Sequence, residues 1–213
     1  LEEPDNPMSL VFKGWHLLYT VTNKQEAITG YELALKSIEL GPDISETHVL
    51  TAFFEFGHAE KLFDLRTDAL ALAEKRAVIA GELNKSSPHA FASVGNILSG
   101  VGKYKEALPN YRKAIAIAPH AESWIKTAFL NTLVLLEQYA EATPLAIELA
   151  SAAQFSSNSR ATAFSMLAFI SSKQGNKKKA NHYIEKLQNL DLKKLQMSPL
   201  EIVIRSLYNI EDN

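Results

Sequence analysis

The chain contains no cysteine. That excludes disulfides, thiolate zinc sites and a cysteine nucleophile, and it leaves the compartment open, because a reducing cytosol and an oxidising periplasm both tolerate such a chain. Neither sign of charge is in excess: 22 basic and 24 acidic residues leave a formal net charge of −2, so no global field recruits nucleic acid or an anionic membrane. No apolar run approaches the ~20 residues that span a bilayer, so no direct membrane insertion is expected of this segment. The opening, LEEPDNPMSL, has neither an initiator Met nor a signal-peptide pattern and reads as the cut edge of a longer protein. Glycine and proline are sparse, nine and eight in 213 residues, and alternating apolar runs are few, which favours an all-α chain. What the chain does have is apolar bulk: 46% of its residues are hydrophobic, ample for a sizeable core.

The best-organised stretch runs from Pro88 to Pro119, with two amphipathic helical patterns split by a Gly-containing turn. Small residues stand at Gly95, Ala107 and Ala114, and large ones at Phe91, Val94, Leu98 and Tyr111. Counted from Pro88 as position 1, these fall at 4, 7, 8, 11, 20, 24 and 27, with Gly102 at 15 and Pro119 at 32. The pattern resembles the tetratricopeptide repeat, a 34-residue helix–turn–helix unit. A small residue at 8 lets the paired helices approach, small residues at 20 and 27 seat the next helix, and the aromatic at 24 fills the space between.

The same spacing recurs along the chain. Ala27, Tyr31 and Ala34 repeat positions 20, 24 and 27, after a first helix in which Gly14 or Trp15 takes the small-residue place; Gly14 is the more physical choice, since Trp there would hold the helices apart. Ala73, Ala77 and Ala80 follow, and Ala107 lies one period of 34 residues beyond Ala73. Ala27 to Ala73 spans 46, so this unit carries about a dozen extra residues, expected between Gly57 and Asp68. In the next unit Trp124 and Ala128 are read at positions 4 and 8 and Ala142 at 20, with a slightly overlong first helix. The last unit places Phe164, Leu167, Ala168, Gly175, Ala180, Ile184 and Leu187 in register. Ser198-Pro199-Leu200-Glu201 then opens a terminal helix with a capping box. The resemblance implies one all-α domain, a right-handed α-α superhelix of about five helix pairs (8–41, 45–86 expanded, 88–120, 121–155 and 161–192), closed by a capping helix at 199–210.

Motifs for chemistry are missing. The six histidines, His16, His48, His58, His89, His120 and His182, form neither HxxxH nor HExxH, and no GxSxG elbow or acidic metal cluster is present. Ser99-Gly100-Val101-Gly102-Lys103 superficially resembles a phosphate loop but lacks GxxxxGK[ST] and lies where the repeat needs its turn. Lys177-Lys178-Lys179, with Lys193 and Lys194, reads as a solvated turn rather than a nucleic-acid surface. No catalytic residue, metal or cofactor is therefore expected, and no nucleic-acid partner.

The resemblance implies a concave face lined by positions 2, 5, 9 and 12 of each first helix. These are His89, Ala92, Asn96 and Ser99; then Glu122, Ile125, Phe129 and Thr132; then Thr162, Ser165, Phe169 and Ser172. Tetratricopeptide domains that hold chaperone C-termini grip carboxylates with Lys, Asn and Arg; Asn96 fits one such position, but Ala92 replaces the lysine, so that clamp is not expected. Asn96, Ile125, Phe129, Thr132, Ser165 and Phe169 are the candidate partner-binding residues. Phe129 and Phe169 either anchor an apolar side chain of a peptide or partner helix or are buried against neighbouring helices.

The order of units, an early Gly, an expanded second pair and then regular repeats of the GKYKEALPNYRKAIAIAP kind, is similar to the C-terminal repeat region of bacterial class III adenylate or guanylate cyclase-type proteins and of membrane-anchored winged-helix regulators, over about Met8 to Leu149. It implies a sensory, scaffolding or oligomerising module in a larger signalling protein, cytoplasmic or periplasmic, with any cyclisation elsewhere. The expected activity is non-catalytic binding of a protein or peptide. The alternatives are a homo-oligomerisation module and a small-molecule sensor.

Overall fold

The computed structural model describes residues 6–58, 66–151 and 156–190, with backbone alone for 66 and 67. Residues 59–65 of the expected insertion and the expected capping helix at 199–210 lie outside the described residues, as do Lys193 and Lys194. The described residues form ten helices and no strand. They fall into two compact units, Leu1–Pro119 and His120–Asn213. The first unit holds α1 (Pro7–Thr20), α2 (Lys24–Leu40), α3 (Ser45–Gly57), α4 (Arg66–Leu83), α5 (Pro88–Gly100) and α6 (Tyr104–Ile117). The second holds α7 (Ser123–Leu135), α8 (Tyr139–Ser151), α9 (Ser157–Lys173) and α10 (Lys177–Gln188). Consecutive helices pack as pairs.

Helix starts follow local side-chain chemistry. Asn6 caps α1, accepting from the Met8 and Ser9 N–H groups, with Pro7 at the first helical position where a missing N–H costs little. Asn23 accepts from the Glu26 N–H at 3.0 Å while the Glu26 carboxylate accepts from the Thr22 N–H at 2.7 Å, so orphan donors at both sides of the α2 start are satisfied. Ser87 with Pro88, Ser156 and Asn176 do the same for α5, α9 and α10.

Three first helices end in one identical turn. After α5 the Lys103 N–H donates to the Leu98 carbonyl at 2.8 Å and the Gly102 N–H to Ser99 at 3.0 Å, the paired bonds of a Schellman cap. Gln138 and Glu137 make the same bonds to Leu133 and Val134 after α7, and Asn176 and Gly175 to Ser171 and Ser172 after α9. The residue at the corner is left-handed each time: Gly102 at φ +83°, Gly175 at φ +74° and Glu137 at φ +55°. The Gly-Lys string is thus a helix-ending turn. Glu137 meets the same geometric demand with a Cβ.

Small residues set the helix spacing. Ala27, Ala34, Ala73, Ala80, Ala107, Ala114 and Ala142 are completely buried. A Cβ on Gly95 would stand 3.0 Å from the Tyr111 ring, so the aromatic of α6 lies directly on the glycine of α5. In the first pair, Gly14 is the residue at the close approach: the Leu50 side chain of α3 occupies the space its Cβ would need. Trp15 instead packs beside Phe53, ring centroids 5.4 Å apart, at the edge of a core built from Val11, Leu18, Ala34, Leu50 and Phe54.

A buried polar cluster ties α2, α3 and α4 together. Glu55 has 0% exposed surface; one carboxylate oxygen accepts from the Tyr31 hydroxyl at 2.8 Å and from Arg76 Nε at 2.7 Å, and Oε2 has no partner among the described residues. Burial lifts the Glu55 carboxyl above the usual carboxylate range, outweighing the downward pull of Arg76 and Tyr31. The half-buried Tyr31 phenol, desolvated and beside that carboxylate, is pushed up to about 12.

Two outcomes are expected. A non-glycine residue in the left-handed region costs about 1–2 kcal/mol, and extra freedom in the unfolded chain offsets roughly 0.4–1 kcal/mol of the relief. Glu137→Gly therefore stabilises the second unit by about 0.5–1 kcal/mol in urea unfolding; a loss of stability would contradict the turn assignment. For Glu55, the folded chain holds the carboxyl proton more tightly than the unfolded chain. The resulting stability is fully present below the ordinary carboxylate pKa and is lost as pH rises through the raised one. As pH rises from the ordinary carboxylate range through that raised value, the parent should lose stability relative to Glu55→Gln, and the opposite slope would overturn the assignment.

Candidate functional site

The turn at Glu137 fixes the register of the second unit. Glu137 stands where Gly102 and Gly175 stand, so Ser123 corresponds to Pro88 and to Ala161. The extra residue of this repeat precedes α7, and the first helix is not overlong: α5 and α7 both have 13 residues. Positions 2, 5, 9 and 12 are therefore Trp124, Thr127, Asn131 and Val134.

This corrects the expected face on α7. Ile125, Phe129 and Thr132 occupy core positions, matching Ala90, Val94 and Ile97 of α5, and all six are buried. Thr132 donates its hydroxyl to the Ala128 carbonyl at 2.9 Å. Phe129 and Phe169 are consequently not equivalent; Phe169 shares position 9 with Asn96 and Asn131. On α9 the register is the expected one: Ser165 is buried, its hydroxyl donating to the Ala161 carbonyl at 2.9 Å, and Phe169 is half-buried with Lys173 Nζ 5.4 Å above its ring. Asn96 is half-buried on α5. Asn96 lies in the first unit and the other five candidates in the second.

The residues that replace them on α7 carry a distinct signal. Thr127 Oγ1 and Asn131 Oδ1, one helical turn apart, are buried polar atoms with no hydrogen-bond partner among the described residues. A buried, unbonded polar atom costs about 1–3 kcal/mol, so two on one face mark positions where the chain's own packing does not complete the bonding. An Asn amide and a Thr hydroxyl can each donate and accept, the capacity needed to bind a peptide backbone. One turn before Thr127, half-buried Trp124 donates its indole N–H to a Glu122 carboxylate oxygen at 2.8 Å. It is a face residue, not the inter-helix core residue its position-4 reading implied.

Position 4 belongs to Lys126, where α5 has Phe91 and α9 has Phe164. Lys126 is 2% exposed and its ammonium is ion-paired with Glu148 of α8, which keeps about half of its side chain in solvent. A cleft of about 400 Å³ opens at this end of α7, lined by His120, Glu122, Ser123, Trp124, Lys126 and Glu148. Its mixed charge favours a polar ligand of no single sign. No group of three or more His, Asp or Glu with metal-binding geometry exists among the described residues. Burial perturbs the titration of Tyr31 and Glu55, but the Glu55 carboxylate is inaccessible to a substrate. No helix is long and apolar enough to cross a membrane among the described residues.

Sequence reasoning missed Thr127 and Asn131 because it required a small residue at position 8 and settled on Ala128. The signal that finds them is the offset from the second helix. Glu137 precedes Ala142 by five residues, as Gly102 precedes Ala107.

Comparison with known proteins agrees with this geometry at the level of fold. Residues 88–120 match the model of the tetratricopeptide repeat. No curated protein matches the chain. Among solved structures, the chain is similar to PilF of Pseudomonas aeruginosa, with a TM-score of 0.49 at 13% identity over 94% of this chain and 97% of that one. It is also similar to YrrB, described as a TPR protein with an unusual peptide-binding site, with a TM-score of 0.65 at 14% identity over 96% of this chain and 94% of that one. At that identity the likeness to YrrB establishes the fold alone: an α-α superhelix of tetratricopeptide-type helix pairs.

Proposed function

We propose that the chain is a non-catalytic scaffold that binds a peptide or protein segment along the first-helix faces, with Asn131 and Thr127 bonding the ligand backbone and Trp124 bordering the site. The carrying observation is the pair of unpartnered buried polar atoms, Thr127 Oγ1 and Asn131 Oδ1. Phe169 holds position 9 of the neighbouring repeat in the same unit and serves as the apolar anchor. The peptide-binding site for which YrrB is described supports the same class of ligand here. The resemblance of the repeat order supports the finer reading, a regulatory part of a larger bacterial signalling protein related to adenylate cyclases.

A random peptide library displayed on phage and selected on the full chain tests the binding reading. Binders that weaken on Asn131→Leu and Phe169→Ala are expected; enrichment indifferent to both substitutions would refute it. The same Asn131→Leu change removes an unsatisfied buried polar atom, so it should stabilise the free chain by about 1 kcal/mol in urea unfolding.

A second reading, self-association, has its own support. On α1, Phe12 is 69% and Tyr19 81% exposed, and Trp15 lies between them, stacked on Tyr19 with centroids 6.1 Å apart. These residues recur at the spacing of one helical face. Light scattering over a concentration series should show a dimer that Phe12→Ser with Tyr19→Ser dissociates, and a concentration-independent monomer rules this reading out.

A further inference from the structure

The first unit carries a groove that the first-helix face does not use. About 400 Å³ in volume, it lies between the C-terminal ends of α4 and α6, with Phe91 of α5 at its base. Gly81, Ala116 and Ile117 continue the apolar lining, and Ile117 is 41% exposed. Lys85 and Lys113 line it as well, and Lys113 Nζ stands 5.0 Å from the centre of the Phe91 ring.

Gly81 is the telling residue. It sits inside α4, where glycine weakens a helix relative to alanine. Its backbone is not left-handed, and a Cβ added there would meet Val94 Cγ2 at 3.4 Å and Phe91 Cε1 at 3.9 Å, ordinary van der Waals contacts. Neither packing nor backbone geometry therefore requires glycine. What its missing side chain does is keep the apolar floor open. The charges lining the groove are two ammonium groups and one carboxylate, Glu82. Glu82 pairs with Lys85 at 3.4 Å, but both side chains are more than two-thirds exposed. Such a pair contributes almost nothing and leaves Lys85 able to take another carboxylate.

We infer that this groove docks a partner segment in which a bulky apolar side chain is flanked by carboxylates. The apolar group fills the space over Gly81 and Phe91, displacing water from an apolar floor, and Lys85 and Lys113 take the flanking acids. The groove belongs to the first unit and the faces of α7 and α9 to the second, and the two readings rest on separate observations, so either can fail alone.

The probe is a fluorescein-labelled synthetic peptide with one phenylalanine flanked on both sides by aspartates, titrated with the full chain and followed by anisotropy. Saturable binding is expected. It should weaken about tenfold on Lys113→Glu and be lost on Gly81→Leu, which fills the groove, while Asn131→Leu leaves it unchanged. A peptide with alanine for the phenylalanine, or lysines for the aspartates, should not bind. The inference is overturned by absence of saturable binding, by equal affinity for the phenylalanine-free peptide, which would mean charge attraction alone, or by equal affinity of the parent and both groove variants. Circular dichroism and the unfolding midpoint establish that Gly81→Leu folds. If it does not, Lys113→Glu and Lys85→Glu, both at exposed side chains, decide the question.

Discussion

The fold depends on how closely paired helices can approach, and one contact shows the constraint plainly. Tyr111 lies on Gly95 with no room for a methyl group to spare, and both are buried. Interiors are packed to crystal-like density, so a large group on one helix demands a small one opposite. The next repeat obeys the same constraint with the sizes exchanged. Leu130 stands where Gly95 stands and Ala146 where Tyr111 stands, and both are fully buried. Summed volume is kept while the assignment of large and small to the two helices reverses.

That exchange explains what could be read from the sequence and what could not. The alanines at 20 and 27, the Gly-Lys turn and Gly95 facing Tyr111 are legible, because each is a local demand met by a residue type that rarely has another reason to recur at that spacing. The all-helical repeat fold follows from them. The face of α7 is not legible in the same way, since a search for a small residue at position 8 cannot anticipate a leucine compensated sixteen residues later by an alanine. The resulting slip of two residues is enough on a helix to exchange face for core, and it carried Ile125, Phe129 and Thr132 from one to the other. The Tyr31–Glu55–Arg76 cluster was illegible for a different reason. Glu55 is visible as a lone acid among phenylalanines, but its partners come from two other helices, and only tertiary packing brings them together.

Polar groups in apolar places recur in this chain and divide by whether they have a charged partner. Glu55 has Arg76 and Tyr31, and Lys126, standing where a neighbouring repeat has phenylalanine, has Glu148. Both lie inside helix packing and pin particular helices to one another, since an unpaired charge in either place would cost several kcal/mol. Thr127 and Asn131 contrast with them. Their buried Oγ1 and Oδ1 atoms have no hydrogen-bond partner among the described residues, so they pin no helix to another.

The placement of the two tryptophans has a practical consequence. Each compact unit contains one: Trp15 against Phe53 and Tyr19 in the first, Trp124 half-buried beside Glu122 in the second. Indole emission responds to its immediate surroundings, and these differ, one ring set among aromatic neighbours and the other held by a carboxylate at a polar cleft. Replacing either ring with phenylalanine leaves a chain whose tryptophan emission, excited apart from that of its seven tyrosines, reports a single unit. Whether the two halves unfold in one step or in succession is thus written into the spectroscopy of the molecule, without any label.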